Sequence, residues 1–575
     1  MKRTIAVLLS MTMVLALAGC SKEEETTKKK KSKKTTKTED TEDPDDTDPS
    51  ESTDETDPTD DTDPTDTSET ADSSTSGTTS SGDPYNMDLP KLTHDLQFLT
   101  FKNDPVKHNY GELASNDEIY QAMYSLDVYS VEDAGYTALN DYLDQVNSGY
   151  ESRLAGLYEN SLDTLSEHVA DADPDAYWGE TLYTYSLYRI YRTDSKVCSF
   201  YTADYASSSD TEDSSIVYHN LDSKTAEVLT FDDIVFDRSA FAEVLSEYIL
   251  PSDPDDYSER IEERNSTLTA LIEMVKNGSD ISFLMTQNTI ILFLEGPSAG
   301  EVMTYSFSIP VLHLGGCVDL SYFTSTAEYY CLTADDNDEI YWDFDEDGSL
   351  DIVTVTELLD GYDFDLEISY NGNISPMGAS NSDIDYAYGI SWVCMVHTDS
   401  GYYLYVELMV EDPVNRTLIY HLNNGAFEYV NYTSEIAAIP YDPANMRILA
   451  CSELVGTGSY SVECTLIGSN GVPQPTSSFY AKSAVVATVK DMTLGIFDNN
   501  GNPTGDSITL PAGTVVQFTG IDTEKKLAYF RTLNKDESEN REFQMIIYEK
   551  DYGGYDIYFD GESAYDLFVG EHYYD

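Results

Sequence analysis

Ile216-Val-Tyr-His-Asn220-Leu-Asp-Ser-Lys-Thr225-Ala-Glu-Val-Leu-Thr230-Phe-Asp-Asp-Ile234 sets the class of the first folded region. Ile216 to Asn220 and Glu227 to Phe231 read as extended runs, and a helix follows from about Ser239 to Ile249. Upstream, Leu139, Leu143, Val146, Tyr150, Leu154, Leu157, Leu162, Leu165 and Val169 recur mostly at steps of three and four. That spacing is one face of a long amphipathic helix, ending near Asp171-Ala-Asp-Pro174. Between the two lie strand-like runs at Thr181 to Tyr191 and Val197 to Tyr201. Downstream, a helix near Tyr257 to Lys276 precedes strands at Ile281 to Met285, Thr289 to Leu294 and Met303 to Ile309. One long helix, two shorter ones and an antiparallel sheet predict an α+β domain over residues 85–322.

Tyr218-His-Asn220-Leu-Asp222, Thr225, Leu229-Thr-Phe231-Asp232-Asp233-Ile234 and the helix carrying Phe241 and Ile249 resemble the RsiV-like (DUF3298-type) domain of exported bacterial proteins. Phe283, Ile291, Phe293, Glu295, Ala299, Gly300 and Tyr305-Ser-Phe307-Ser-Ile309-Pro310 match that family's closing pattern in order and spacing. Members often carry a Gly-rich stretch with a histidine before the Tyr-Asn-Asp motif, whereas Ala203 to Asp210 reads A-D-Y-A-S-S-S-D. The resemblance implies binding or sensing. Such domains occur on anti-sigma factors that detect lysozyme and beside polysaccharide deacetylase domains, where another domain does the chemistry. No membrane-crossing helix is read here, so the resemblance implies a binding role outside the membrane and no direct transmission to a sigma factor.

Asp343-Phe-Asp345-Glu-Asp347-Gly348-Ser349-Leu350-Asp351 is the strongest chemical motif. Carboxylates at alternate positions converge on one cation when glycine permits the sharp turn, as at positions one, three, five and nine of calcium loops, with Ser349 at the seventh. Leu350 fits the apolar position that pins such a loop. Thr354 stands where an EF-hand has its bidentate glutamate, and strand-like flanks, Glu339 to Trp342 and Ile352 to Val355, replace the helices. The expected cofactor is a structural Ca2+ held by Asp343, Asp345, Asp347, Ser349 and Asp351. A solvated acidic turn is the alternative.

Residues 323–478 read as mainly β, with runs at Phe364 to Tyr370, Trp392 to His397, Tyr402 to Val410 and Thr417 to His421. Tyr402, Tyr403 and Tyr405 read as sheet surface and core rather than a sugar platform. Residues 479–575 form a small β unit whose Leu510-Pro-Ala-Gly-Thr-Val-Val516 turn resembles bacterial SH3-like barrels.

At the other end, Met1-Lys2-Arg3 is followed by an apolar run too short to span a bilayer and by Leu17-Ala18-Gly19-Cys20. This resembles the lipobox of bacterial lipoproteins, which implies removal of residues 1–19 and lipid attachment at Cys20. Two or more acyl chains anchor stably where one does not. Residues 21–84 are polar and cannot bury a core, so they read as a disordered tether with a Lys-rich collar at Lys28 to Lys37 and acidic repeats beyond it. A flexible coil of that length reaches roughly 45 Å.

The formal charge of −74 argues against any nucleic-acid partner. From Tyr85 onward 85 acidic residues face 22 Lys and Arg, so the field belongs to the folded part and favours metal cations or cationic proteins. Cys198, Cys317, Cys331, Cys394, Cys451 and Cys464 match no metal or redox spacing, and buried thiols and disulfides both remain open. His219 and His313 read as structural. No HExxH or GxxxxGK[ST] motif occurs. The expectation is a non-enzymatic, lipid-anchored protein on the outer face of the cell membrane, binding a cationic wall-lytic protein such as lysozyme, or peptidoglycan. The alternatives are a peptidoglycan- or carbohydrate-modifying enzyme with a carboxylate site, and a calcium-stabilised adhesin.

Overall fold

The structure, a computed structural model, describes residues 91–114, 118–170, 172, 181–208, 211–250, 258–298, 301–360, 363–379, 387–410, 414–437, 439–451, 459–497, 503–548 and 558–570. Cys20, the segment 21–84, Asp171, Ala299 and Gly300 lie outside them.

The first sheet has the order β1 (Val106–Leu113), β2 (Ile119–Leu126), β3 (Thr181–Thr193), β4 (Val197–Ser208), β5 (Thr211–Asp222). All neighbours are antiparallel except β2 and β3, which run parallel from Gln121 opposite Thr181 to Leu126 opposite Ser186. A parallel pair needs a crossover. Here the crossover contains α1 (Thr137–Ala170), the long helix read from the leucine stripe. Its Leu139 and Leu143 pack on Tyr188 and Phe200, and its Leu165 on Leu182. Strand β3 shows why: Leu182, Thr184, Ser186 and Tyr188 alternate toward the helix while Tyr183, Tyr185 and Leu187 stay half-buried on the other face.

After β5 the extended run expected over Glu227 to Phe231 is replaced by a single bridge, Leu221 to Val228, and by α2 (Phe231–Ile234). The reason is local. Asp233 accepts hydrogen bonds from the backbone N–H and hydroxyl of Thr230, a capping box that starts a helix at Phe231. Helix α3 (Arg238–Leu245) begins at Asp237, whose carboxylate accepts from the Ser239 and Ala240 N–H groups. Helices α3 and α4 (Ser258–Lys276) cover the sheet of β6 (Ser282–Met285), β7 (Thr289–Ser298) and β8 (Glu301–Pro310). Phe241, Leu245, Leu268 and Val275 meet Phe283, Leu292 and Phe307 in one core. Tyr341, Leu350 and Ile352 join that core, so it continues past position 322.

The next two sheets face each other. A meander of β10 (Glu339–Trp342), β11 (Asp351–Asp360), β12 (Asp363–Tyr370) and β13 (Asn373–Ser375) packs on a sheet ordered β9 (Tyr330–Thr333), β14 (Ala387–Thr398), β15 (Gly401–Val410), β16 (Arg416–Asn423), β17 (Ala426–Ser434). Trp342, Val353 and Ile368 meet Met395, Leu404 and Tyr420 between them. Tyr402, Tyr403 and Tyr405 are buried, as sheet core rather than a sugar platform.

A last large sheet runs from β18 (Met446–Cys451) and β19 (Ser459–Thr465) through β20 (Phe479–Thr488), β23 (Val515–Asp522), β24 (Leu527–Thr532) and β25 (Glu542–Tyr548). The hairpin β21 (Met492–Phe497) and β22 (Pro503–Leu510) adds to its core. This sheet continues across positions 478 and 479. Strands dominate the described residues and helices are few; the α+β character is confined to the part ending at β8. No helix among the described residues is long and apolar enough to cross a membrane.

Candidate functional site

The aspartate loop connects β10 to β11, and the register pairs Trp342 with Asp351 at its base. The chain can turn there because Glu346 and Gly348 adopt positive φ, 58° and 88°. Each carboxylate then meets a backbone donor. Gly348 N–H donates to Asp343 Oδ2 at 3.0 Å, Phe344 N–H to Asp351 Oδ2 at 2.8 Å, and Asp347 N–H to Asp345 Oδ1 at 3.1 Å. Asn371 fixes the far side, its Nδ2 donating to Asp351 Oδ1 at 2.6 Å while its Oδ1 accepts from the Ile352 N–H. Leu350 is buried in the core shared by α3, α4 and β8, which holds the loop down.

These contacts bring Asp343, Asp345 and Asp351 together, with one carboxylate oxygen of each within 4.8 Å of the others. Asp347 is not in that group; it is exposed and its Oδ1 accepts the Ser349 N–H at 2.8 Å. Ser349 is exposed as well. Asp343 is only 3% exposed and its Oδ1 is buried with no hydrogen-bond partner among the described residues. Burial holds its carboxyl above the ordinary range, with Asp351 and Asp345 adding repulsion and the Gly348 and Asp347 amides opposing the rise. A buried, unpartnered carboxylate oxygen beside two more carboxylates is the chemistry of a hard divalent cation site. Sequence reading missed Asn371, which lies beyond the motif and reaches it only through the β11–β12 pairing. It also missed Glu346 Oε1, 3.2 Å from His94 Nε2.

Two other groups bear on catalysis. His219 is buried between the Tyr142 hydroxyl (2.9 Å) and Thr202 Oγ1 (3.0 Å), and His313 meets the Tyr248 hydroxyl at 3.0 Å, so both are partnered structural histidines. Glu407 is buried, and desolvation with Glu435 nearby pushes its carboxyl up to about 8. Its Oε2 accepts the Ile436 N–H at 3.1 Å, and Glu435 accepts the Asn415 N–H at 3.1 Å. These bonds tie the two glutamates to backbone turns inside the protein.

No family model matches the sequence, and no curated protein matches it. Among solved structures the chain is similar to a DUF3298-family member from Bacteroides fragilis NCTC 9343, with TM-score 0.24 and 11% sequence identity, covering 41% of this chain and 98% of that one. It is likewise similar to a DUF3298 family protein from Pseudomonas aeruginosa PAO1, with TM-score 0.23 and 12% identity, covering 39% of this chain and 97% of that one.

Proposed function

We propose that the chain is a lipid-anchored extracytoplasmic binding protein with an RsiV-like portion, built for a medium rich in calcium. The observation that carries this reading is the cradle of Asp343, Asp345 and Asp351 with its orphaned Asp343 Oδ1. Calcium accepts carboxylate, carbonyl and water oxygens in flexible geometry, and an open loop of this kind fits the weak end of the range, on the order of 0.1–1 mM, filled outside cells. Asp343, Asp345 and Asp351 hold the ion, with Asp347 and Ser349 on the loop's open side. The ion's role is structural.

The address and the partner are supported by sequence. Leu17-Ala-Gly-Cys20 with its tether supports attachment at Cys20, and the acidic excess after residue 84 supports a cationic partner such as lysozyme. Opposed charges speed encounter and make it salt-sensitive. Cys20→Ala is expected to move the protein from the membrane fraction to the soluble one. The full-length protein on beads is expected to retain lysozyme at low salt and release it at about 0.5 M. No retention at low salt removes lysozyme as the partner, and an unchanged fractionation removes the anchor.

A further inference from the structure

The ladder between β9 and β14 sets Cys331 opposite Val396 and Thr333 opposite Cys394. Side chains two apart on a strand share a face, so the two thiols lie on one face of neighbouring antiparallel strands, diagonal to each other. Both are buried as free thiols in one apolar cluster with Tyr405, Ile419 and Val462. Cys198 and Cys317 sit in two different clusters, and Cys464 lies in the same cluster on β19. Strand β9 is four residues long and, among the described residues, is the edge of its sheet with β14 as its one ladder neighbour. A short edge strand can give the small closure that disulfide geometry requires of a diagonal pair.

We propose that Cys331 and Cys394 are joined as a disulfide when the chain folds in the presence of a small-molecule or protein disulfide. The step is thiol–disulfide exchange. One thiolate attacks the oxidant RS–SR, forming a mixed disulfide and releasing RS−; the second protein thiolate attacks the protein sulfur of that bond and releases the second RS−. Two protein thiols lose two protons and two electrons, and one RS–SR becomes two RSH. Burial holds the Cys394 thiol far above its ordinary range in the folded core, so the thiolate is available chiefly while the chain is still folding. The bond closes a loop of roughly 60 residues that contains β10 to β13 and the aspartate loop. Its effect is to confine that whole meander in the unfolded chain. The inference does not rest on the calcium reading.

The test refolds the full chain from denaturant in oxidised and reduced glutathione, and in parallel in dithiothreitol. Alkylation under denaturing conditions and peptide mapping then locate any bond. The expected result is a cross-linked pair of peptides containing Cys331 and Cys394 and a melting temperature about 5 °C above the dithiothreitol sample. Comparing the two redox forms of the unsubstituted chain needs no variant to fold. Cys331→Ala is expected to abolish the difference and Cys317→Ala to keep it. A bond from either thiol to Cys464, full alkylation of all thiols after oxidative refolding, or a correct bond without a melting shift overturns the proposal.

Discussion

Asp343→Asn is expected to change the sign of its effect with calcium. Without the ion, Asp343 is a buried carboxylate with one unpartnered oxygen next to Asp345 and Asp351. An unsatisfied buried acceptor costs about 1–3 kcal/mol and more when charged. Asparagine removes the charge and its repulsions and keeps an oxygen for the Gly348 N–H. The calcium-free variant is therefore as stable as the unsubstituted protein or about 1 kcal/mol more stable. With calcium the balance reverses. At about 10 mM ion and a Kd on the order of 0.1 mM, mass action stabilises the unsubstituted protein by about 2.7 kcal/mol. For a folded unit of this size that is about 3 °C in Tm. The variant, lacking one charged ligand, loses most of that gain. Calorimetric melting of both proteins in chelator, in calcium and in magnesium reads all the terms. Superimposed curves for the unsubstituted protein with and without calcium refute the site; equal destabilisation of the variant in both conditions refutes the electrostatic reasoning.

Three further outcomes are expected. Leu143→Ala, at a fully buried position under α1, should lower stability by about 2–5 kcal/mol, read from the urea midpoint at unchanged slope. Gly520 sits at φ +147° beside a β-bulge, where a Cβ would come 2.4 Å from the Tyr480 carbonyl oxygen, so Gly520→Ala should cost more than about 2 kcal/mol. Gly513→Ala, at φ +81° with only Leu113 nearby, should cost about 1 kcal/mol, and equal melting losses would contradict the clash. Burial pushes His219 down to about 4 from 6.5, so between those values the unfolded chain binds the extra proton. The stability it contributes is present above about pH 6.5 and is lost as pH falls toward 4, by up to about 3 kcal/mol. His219→Gln should flatten that part of the pH profile in denaturant titrations at pH 7 and 4.5.

Local periodicity made the long helix and most strands readable. The leucine stripe predicted α1 to within two residues at its N-terminal end, because nine apolar positions at helical spacing leave no other buried face. The aspartate cluster was legible for the same kind of reason: Asp343, Asp345 and Asp351 fall within nine consecutive residues. What escaped was non-local. Asn371 reaches Asp351 across a strand pair, and the buried ion pairs of Arg192 with Asp194 (2.5 Å) and Arg264 with Asp336 (2.7 Å) depend on side chains whose burial no period reveals. Arg192 also donates to the Tyr322 carbonyl 130 positions away. The extended reading of Glu227 to Phe231 failed because one capping interaction, Thr230 with Asp233, outweighed a weak strand pattern. Partition into units was the hardest to read, since a composition shift marks surface and linkers while apolar cores merge without a sequence signal.

The cluster of Ile119, Val485, Ala487, Val515 and Leu533 packs the start of β2 against β20 and β23, and a Cβ at Gly111 on β1 would lie 2.8 Å from Val515. These partners are roughly four hundred residues apart in sequence. A chain emerging from its N-terminus at about 5–20 residues per second therefore leaves that flank of the first sheet uncovered for about 20–80 s. During that interval it is open to misassociation, chaperone capture and proteolysis, and late-contact topologies of this kind fold slowly once complete. Yield of the intact protein is thus sensitive to how that delay is survived, and a truncation before Val485 makes it permanent.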